Sequence, residues 1–233
     1  MESLFCSEVR ATLLPLADPA RALAMQAYMR NRFVFFGIQT PARRQALAPL
    51  LRVPQSAGEL LAAASELWDH AERECQYTAV DLLARQQAQL GLADVDALLA
   101  LVQQKSWWDS VDGLASIVGK IVRRARRDEL TTQAAQAAMD AALRHDNLWV
   151  RRVALLHQLG WRDETDRERL FGYALAQAGA ADFFIRKAIG WALRDFARHD
   201  PAAVGDFLAG AGSVLSPLSR REAAKHLAKP LAT

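Results

Sequence analysis

An all-α fold is predicted by three features of this 233-residue chain: where its prolines fall, what its helical stretches are made of, and a loose internal repeat. No proline occurs between Pro54 and Pro201, about 145 residues, and a helix interior tolerates proline badly because the ring removes a donor and clashes with the preceding turn. Ala, Leu, Arg, Gln and Glu dominate, and no convincing alternating strand interrupts them. Segments starting at Glu74, Asp109, Trp149 and Phe184 recur at about 33–40 residues, a period that overlaps helix-pair repeats of HEAT or armadillo type. The expectation is a right-handed α-solenoid of HEAT-like helical repeats with a concave basic face, built as one domain over residues 1–233.

In chain order, helix starts are marked at Asp18-Pro19, Thr40-Pro41, Asp200-Pro201 and Ser216-Pro217. At each, a capping side chain precedes a proline suited to the first helical position. Residues 108–126 read as one helix in which Val111, Leu114, Val118, Ile121 and Ala125 form the core stripe. Trp108, Asp112, Ala115, Gly119, Arg123 and Arg126 share an adjacent face. The small residues at its middle would admit a close-packed backbone, and its arginines could meet phosphates. Further on, Trp149 shares a stripe with Val153 and Leu156 and reads as core, whereas Arg152 lies to the side of it. In Phe183-Phe184-Ile185-Arg186-Lys187-Ala188-Ile189-Gly190-Trp191, the second tryptophan of interest follows Lys187 by four residues.

Composition narrows the class. A hydrophobic share of 52% and a charged share of 24% describe an ordinary soluble globular protein. Cys6 and Cys75 are too few for a disulfide framework and fit a reducing cytosol. The start Met1-Glu2-Ser3-Leu4-Phe5 lacks the pattern of a secretory signal, and no apolar run nears the roughly 20 residues a bilayer requires. A soluble cytoplasmic protein without a membrane role is expected. His70, His145, His157, His199 and His226 form no ligand set, so neither a metal nor a cofactor is expected. There is no glycine-rich phosphate loop and no nucleophile elbow. Net charge is +3 but uneven: residues 59–96 are acidic, and from Lys120 onward arginines accumulate at 123, 124, 126 and 127 and beyond, hinting at a polyanion-binding surface.

Within Trp107-Trp108-Asp109-Ser110-Val111-Asp112, Trp108 and Asp112 stand four residues apart and so share one helix face. A cation held there would meet a π-face and an anion together. On the helical wheel alone, the plainer assignment makes Trp108 a core residue and Asp112 a solvated or salt-bridged acid.

Five segments in order change that balance. They are Tyr28-Met29-Arg30-Asn31 with Gly37-Ile38-Gln39-Thr40-Pro41, Trp107 to Asp112, Asp146-Asn147-Leu148-Trp149-Val150-Arg151-Arg152, Phe183 to Trp191, and Ser216-Pro217-Leu218-Ser219-Arg220-Arg221-Glu222-Ala223. Together they resemble the AlkD family of DNA alkylation-repair glycosylases, over almost the whole chain. The resemblance implies hydrolysis of the N-glycosidic bond of positively charged N3- and N7-alkylated purines, such as 3-methyladenine and 7-methylguanine, in duplex DNA without base flipping. It puts the catalytic aspartate at Asp112 and the catalytic-site arginine at Arg152, which would hold a backbone phosphate or orient Asp112. Trp108, Trp191 and Tyr28 would form the aromatic cleft. Lys120, Arg123, Arg126, Arg127 and Lys187 are candidates for DNA contact, with Arg43 and Arg44 weaker ones. The partner would be double-stranded DNA carrying alkylated purines, with no obligate protein partner, bound by a monomer that is nucleoid-associated when on DNA. Two other functions fit the architecture: a non-catalytic binder of damaged or branched DNA, and a protein-interaction scaffold.

Overall fold

The computed structural model describes residues 3–227; Met1 and Glu2, part of the N-terminal reading above, lie outside the described residues, as do 228–233. The fold is all-α. Among the described residues, the one pairing of extended backbone is an isolated bridge between Val34 and Glu72. None of the described helices is long and apolar enough to cross a membrane.

The chain forms two compact units, Met1–Lys105 and Ser106–Thr233. The first holds α1 (Leu4–Leu13), α2 (Pro19–Tyr28), α3 (Thr40–Leu47), α4 (Ala57–Asp69), α5 (Arg73–Arg85) and α6 (Val95–Val102). The second holds α7 (Trp108–Ala125), α8 (Glu129–Leu143), α9 (Leu148–Leu156), α10 (Arg167–Ala176), α11 (Phe183–Phe196), α12 (Pro201–Ala211) and α13 (Pro217–Ala223).

Three of the four proline-marked starts are capped as expected. Asp18 accepts from the amide of Arg21, Asp200 from that of Ala203 and Ser216 from that of Ser219, at 2.9, 2.9 and 3.1 Å. The fourth differs. Gln39 occupies the cap without a side-chain bond, and Thr40 is already helical. Proline at the second position tolerates this, because the amide it lacks has no intrahelical acceptor.

In the first unit, α4 lies against α5, and the buried Glu74 of α5 orders the loop that follows α2. Its carboxylate accepts from the amides of Phe36, Gly37 and Ile38 at 3.0, 2.9 and 3.0 Å. Three amide donors satisfy a buried anion that would otherwise be costly. Arg43 is buried beside this core, its guanidinium 2.9 Å from Asp81 and 5.3 Å from the Tyr77 ring.

In the second unit, α7 packs on α9, α9 on α11 and α11 on α13, while α8, α10 and α12 connect them. This is HEAT-like stacking, and the repeat seen in sequence falls on α5, α7, α9 and α11. Two glycines set the approach of neighbouring helices. A Cβ at Gly119 of α7 would stand 2.0 Å from the His157 carbonyl oxygen, and one at Gly190 of α11 would stand 2.4 Å from the Glu222 Cβ. Trp107, Trp149 and Phe184, one from the start of each of three stacked helices, form a cluster with ring centroids 4.8–5.7 Å apart. Trp149 is therefore core, as its stripe predicts.

Candidate active site

Extended backbone at Trp107 gives way to helix at Trp108, so Asp112 sits one turn into α7 on the same face. From α9, the Arg152 side chain crosses to it. Arg152 Nε donates to Asp112 Oδ1 at 2.7 Å, and Nη2 donates to Oδ2 at 2.8 Å. The third guanidinium nitrogen, Nη1, donates to the Phe184 carbonyl at 2.6 Å. Paired, planar contacts of this kind are the stronger sort of charge-assisted hydrogen bond. Exposure is unequal: the Arg152 side chain is 1% exposed and that of Asp112 27%. The acid is thus the more exposed member of the pair.

Next to it lies a surface cleft of about 190 Å3, lined by Trp108, Arg152, Phe183, Phe184, Lys187 and Trp191. Asp112 is not among the lining side chains and adjoins them through Arg152. Arg152, Lys187 and Arg194 approach the Trp191 ring at 5.2, 5.4 and 5.8 Å. Behind this group, α13 contributes Glu222, whose carboxylate binds Lys187 at 2.9 Å, Arg194 at 3.0 Å and Lys225 at 2.9 Å. Burial works to raise the Glu222 pKa, but hydrogen bonds and charge from Lys187 and Lys225 outweigh it and hold the carboxyl at about 2.

Four sequence-selected residues, Trp108, Asp112, Arg152 and Trp191, thus meet in the second unit, with Lys187 beside them. Tyr28 is exposed at the end of α2 in the first unit. The other basic candidates divide. Lys120 and Arg127 are exposed. Arg123 pairs with Glu164, and Arg126 donates to the Glu164 carbonyl at 2.6 Å while lying 5.4 Å from the Trp161 ring. These arginines, with Arg124 and Arg127, edge a separate surface cleft of about 530 Å3. Arg123 and Arg124 lie roughly 22–24 Å along α7 from Trp108, at about 1.5 Å per residue, and Arg126 and Arg127 follow its end. Arg44 is exposed but binds Asp81 at 2.8 Å, and the interior position of Arg43 turns it from solvent toward that same acid. Sequence reading passed over Phe183, Phe184 and Glu222 as site residues. The adjacent phenylalanines were a visible signal, whereas Glu222 becomes notable only through packing around Gly190.

A HEAT-like stack carrying a half-sheltered carboxylate–arginine pair beside an aromatic cleft defines the class: an all-α helical repeat protein with a charged, aromatic site. A family model described as DNA alkylation repair enzyme matches residues 9–227, and the chain belongs to that family. Among solved structures, it is similar to one described as a predicted DNA alkylation repair enzyme from Enterococcus faecalis. The two are 34% identical with a TM-score of 0.83, over 91% of this chain and 97% of that one. Comparison with curated proteins finds no match.

Proposed function

We propose that the protein is a monofunctional DNA glycosylase that hydrolyses the N-glycosidic bond of cationic N3- and N7-alkylpurines in duplex DNA. The single observation that carries this reading is the part-exposed Asp112 carboxylate, gripped by buried Arg152 beside the Trp108–Trp191 cleft. Alkylation at N3 or N7 gives the purine a formal positive charge, so it leaves readily and needs little help from an acid. As the bond breaks, positive charge moves to the deoxyribose. A fixed carboxylate near that carbon stabilises the developing charge, and such preorganised groups are often the largest catalytic contribution.

Arg152 would act here by orientation. All three of its nitrogens are already engaged and the side chain is buried, so it has little left to offer a phosphate. An ionised carboxylate has about four lone-pair directions, and Arg152 takes two, leaving acceptor capacity on the exposed side for the attacking water. Trp108 and Trp191 would flank the sugar and cationic base with π-faces. The cleft, about 190 Å3, is smaller than the roughly 300–1,000 Å3 of sites that enclose whole ligands, which supports attack on a base that stays stacked in the duplex.

Release of 7-methylguanine and 3-methyladenine from methylated duplex DNA, by wild type and Asp112→Asn, tests the proposal. Loss of roughly 10²-fold or more is expected, as for removal of one preorganised electrostatic group. Equal release by both would take Asp112 out of the mechanism. DNA binding with no release by either would make the protein a binder of DNA lesions.

A further inference from the structure

We propose that Glu222 is a positioning residue of this site, fixing Lys187 and Arg194 against Trp191 and confining their charge to the cleft's α13 side; this rests on the glycosylase reading above. Three observations support it. The side chain is 8% exposed, and its two oxygens hold three cations, Lys187, Arg194 and Lys225, at 2.9–3.0 Å. Two of those cations also contact the Trp191 ring. Finally, Gly190 leaves α11 without the Cβ that would collide with Glu222, so the acid sits close against the helix bearing both cations and the tryptophan.

The chemistry gives this arrangement a purpose. A cleft meant for a cationic base works against itself if lined with mobile positive charge, because like charges repel the substrate and the oxocarbenium-like state alike. The same cleft needs some positive charge for the phosphates on either side of the lesion. One buried carboxylate reconciles the two demands. It neutralises part of the charge and leaves Lys187 as an anchored ammonium on the cleft wall, placed for a backbone phosphate. Freed from Glu222, the lysines would reach for any phosphate, and Lys187 would crowd the base.

Single-turnover excision of 7-methylguanine and the salt dependence of binding to undamaged duplex, measured for wild type and Glu222→Gln, separate this role from a structural one. Excision is expected to fall by about 10-fold or more, while binding to undamaged DNA tightens and its log–log salt slope steepens by about one unit for each freed cation that meets phosphate. Unchanged excision would overturn the proposal, as would excision and binding falling together with the thermal midpoint, the pattern of simple unfolding. If Glu222→Gln does not fold, Lys187→Met serves, since Glu222 keeps Arg194 and Lys225; the salt slope should shrink by close to one unit, and an unchanged slope would overturn the placement of Lys187 for a phosphate. A wild type that binds DNA but releases no base would sink the glycosylase reading and the catalytic part of this one. The salt slope would still decide whether Glu222 confines the lysines.

Discussion

At the scale of single residues, long-range partners decide what a side chain does. Trp108 and Asp112 could be paired from their spacing alone, but the grip of Arg152 spans 40 positions and depends on how α7 and α9 stack. Arg43 and Arg44 are adjacent and chemically alike in sequence, yet one is 3% exposed and the other 62%, because the helix turn between them points one inward toward Thr78 and Asp81. His157 offers a test at this scale. It is buried, its Nδ1 donates to the Ala154 carbonyl at 2.6 Å, and burial pushes its pKa down to about 4 from 6.5 despite that hydrogen bond. Folded protein therefore keeps it neutral while unfolded chain protonates it, so its destabilising effect is absent above pH 6.5 and grows as pH falls toward 4. At about 1.36 kcal/mol per unit, this amounts to roughly 3 kcal/mol. The thermal midpoint should drop across that window, and His157→Gln should flatten the drop. An equally steep profile in the variant would assign the loss to other groups. Glu222 acts at lower pH, since its depressed pKa gives stability that is present above 4.5 and lost as pH falls toward 2.

At the scale of helices, the hydrophobic stripes and proline starts were legible because they are local: a cap, a ring that fixes φ and a 3.6-residue period all act within a few residues. The close approach at Gly119 was anticipated from the small face of α7; the helix it admits, with the His157 carbonyl at its nearest point, depended on the stacking. Gly119→Ala weighs two effects. Helix propensity favours alanine by up to about 1 kcal/mol, whereas a Cβ 2.0 Å from a backbone oxygen forces α7 and α9 apart. Overpacking costs about 1–3 kcal/mol and wins, because the obstacle is backbone and cannot rotate away. Denaturant melting should show net destabilisation, and excision should fall as well, since the same displacement separates Asp112 from Arg152. A variant as stable as wild type would mean the two helices can slide.

At the scale of the molecule, charge bias was only partly informative. The acidic stretch predicted from residues 59–96 is largely spent internally: Glu59 closes a capping box with Ser56, Glu74 orders a loop and Asp81 holds two arginines. Several basic candidates are likewise engaged, whereas Lys120 and Arg127 are exposed and make no ion pair among the described residues. If these two face DNA, Lys120→Ala and Arg127→Ala should each weaken binding across sequences and reduce the salt slope by about one unit. An unchanged slope would place them off the bound duplex. The order of the five motifs foretold the family that the whole-chain likeness bears out, because such likeness integrates many weak constraints that no single residue carries. Most direct of all is single-turnover 7-methylguanine release by wild type, Asp112→Asn, Arg152→Gln and the double variant, each with its DNA affinity measured. A carboxylate that works only when held should make the double variant no slower than Asp112→Asn, with DNA affinity retained. Full activity in Arg152→Gln, or strictly multiplicative losses, would contradict a pair acting as one unit.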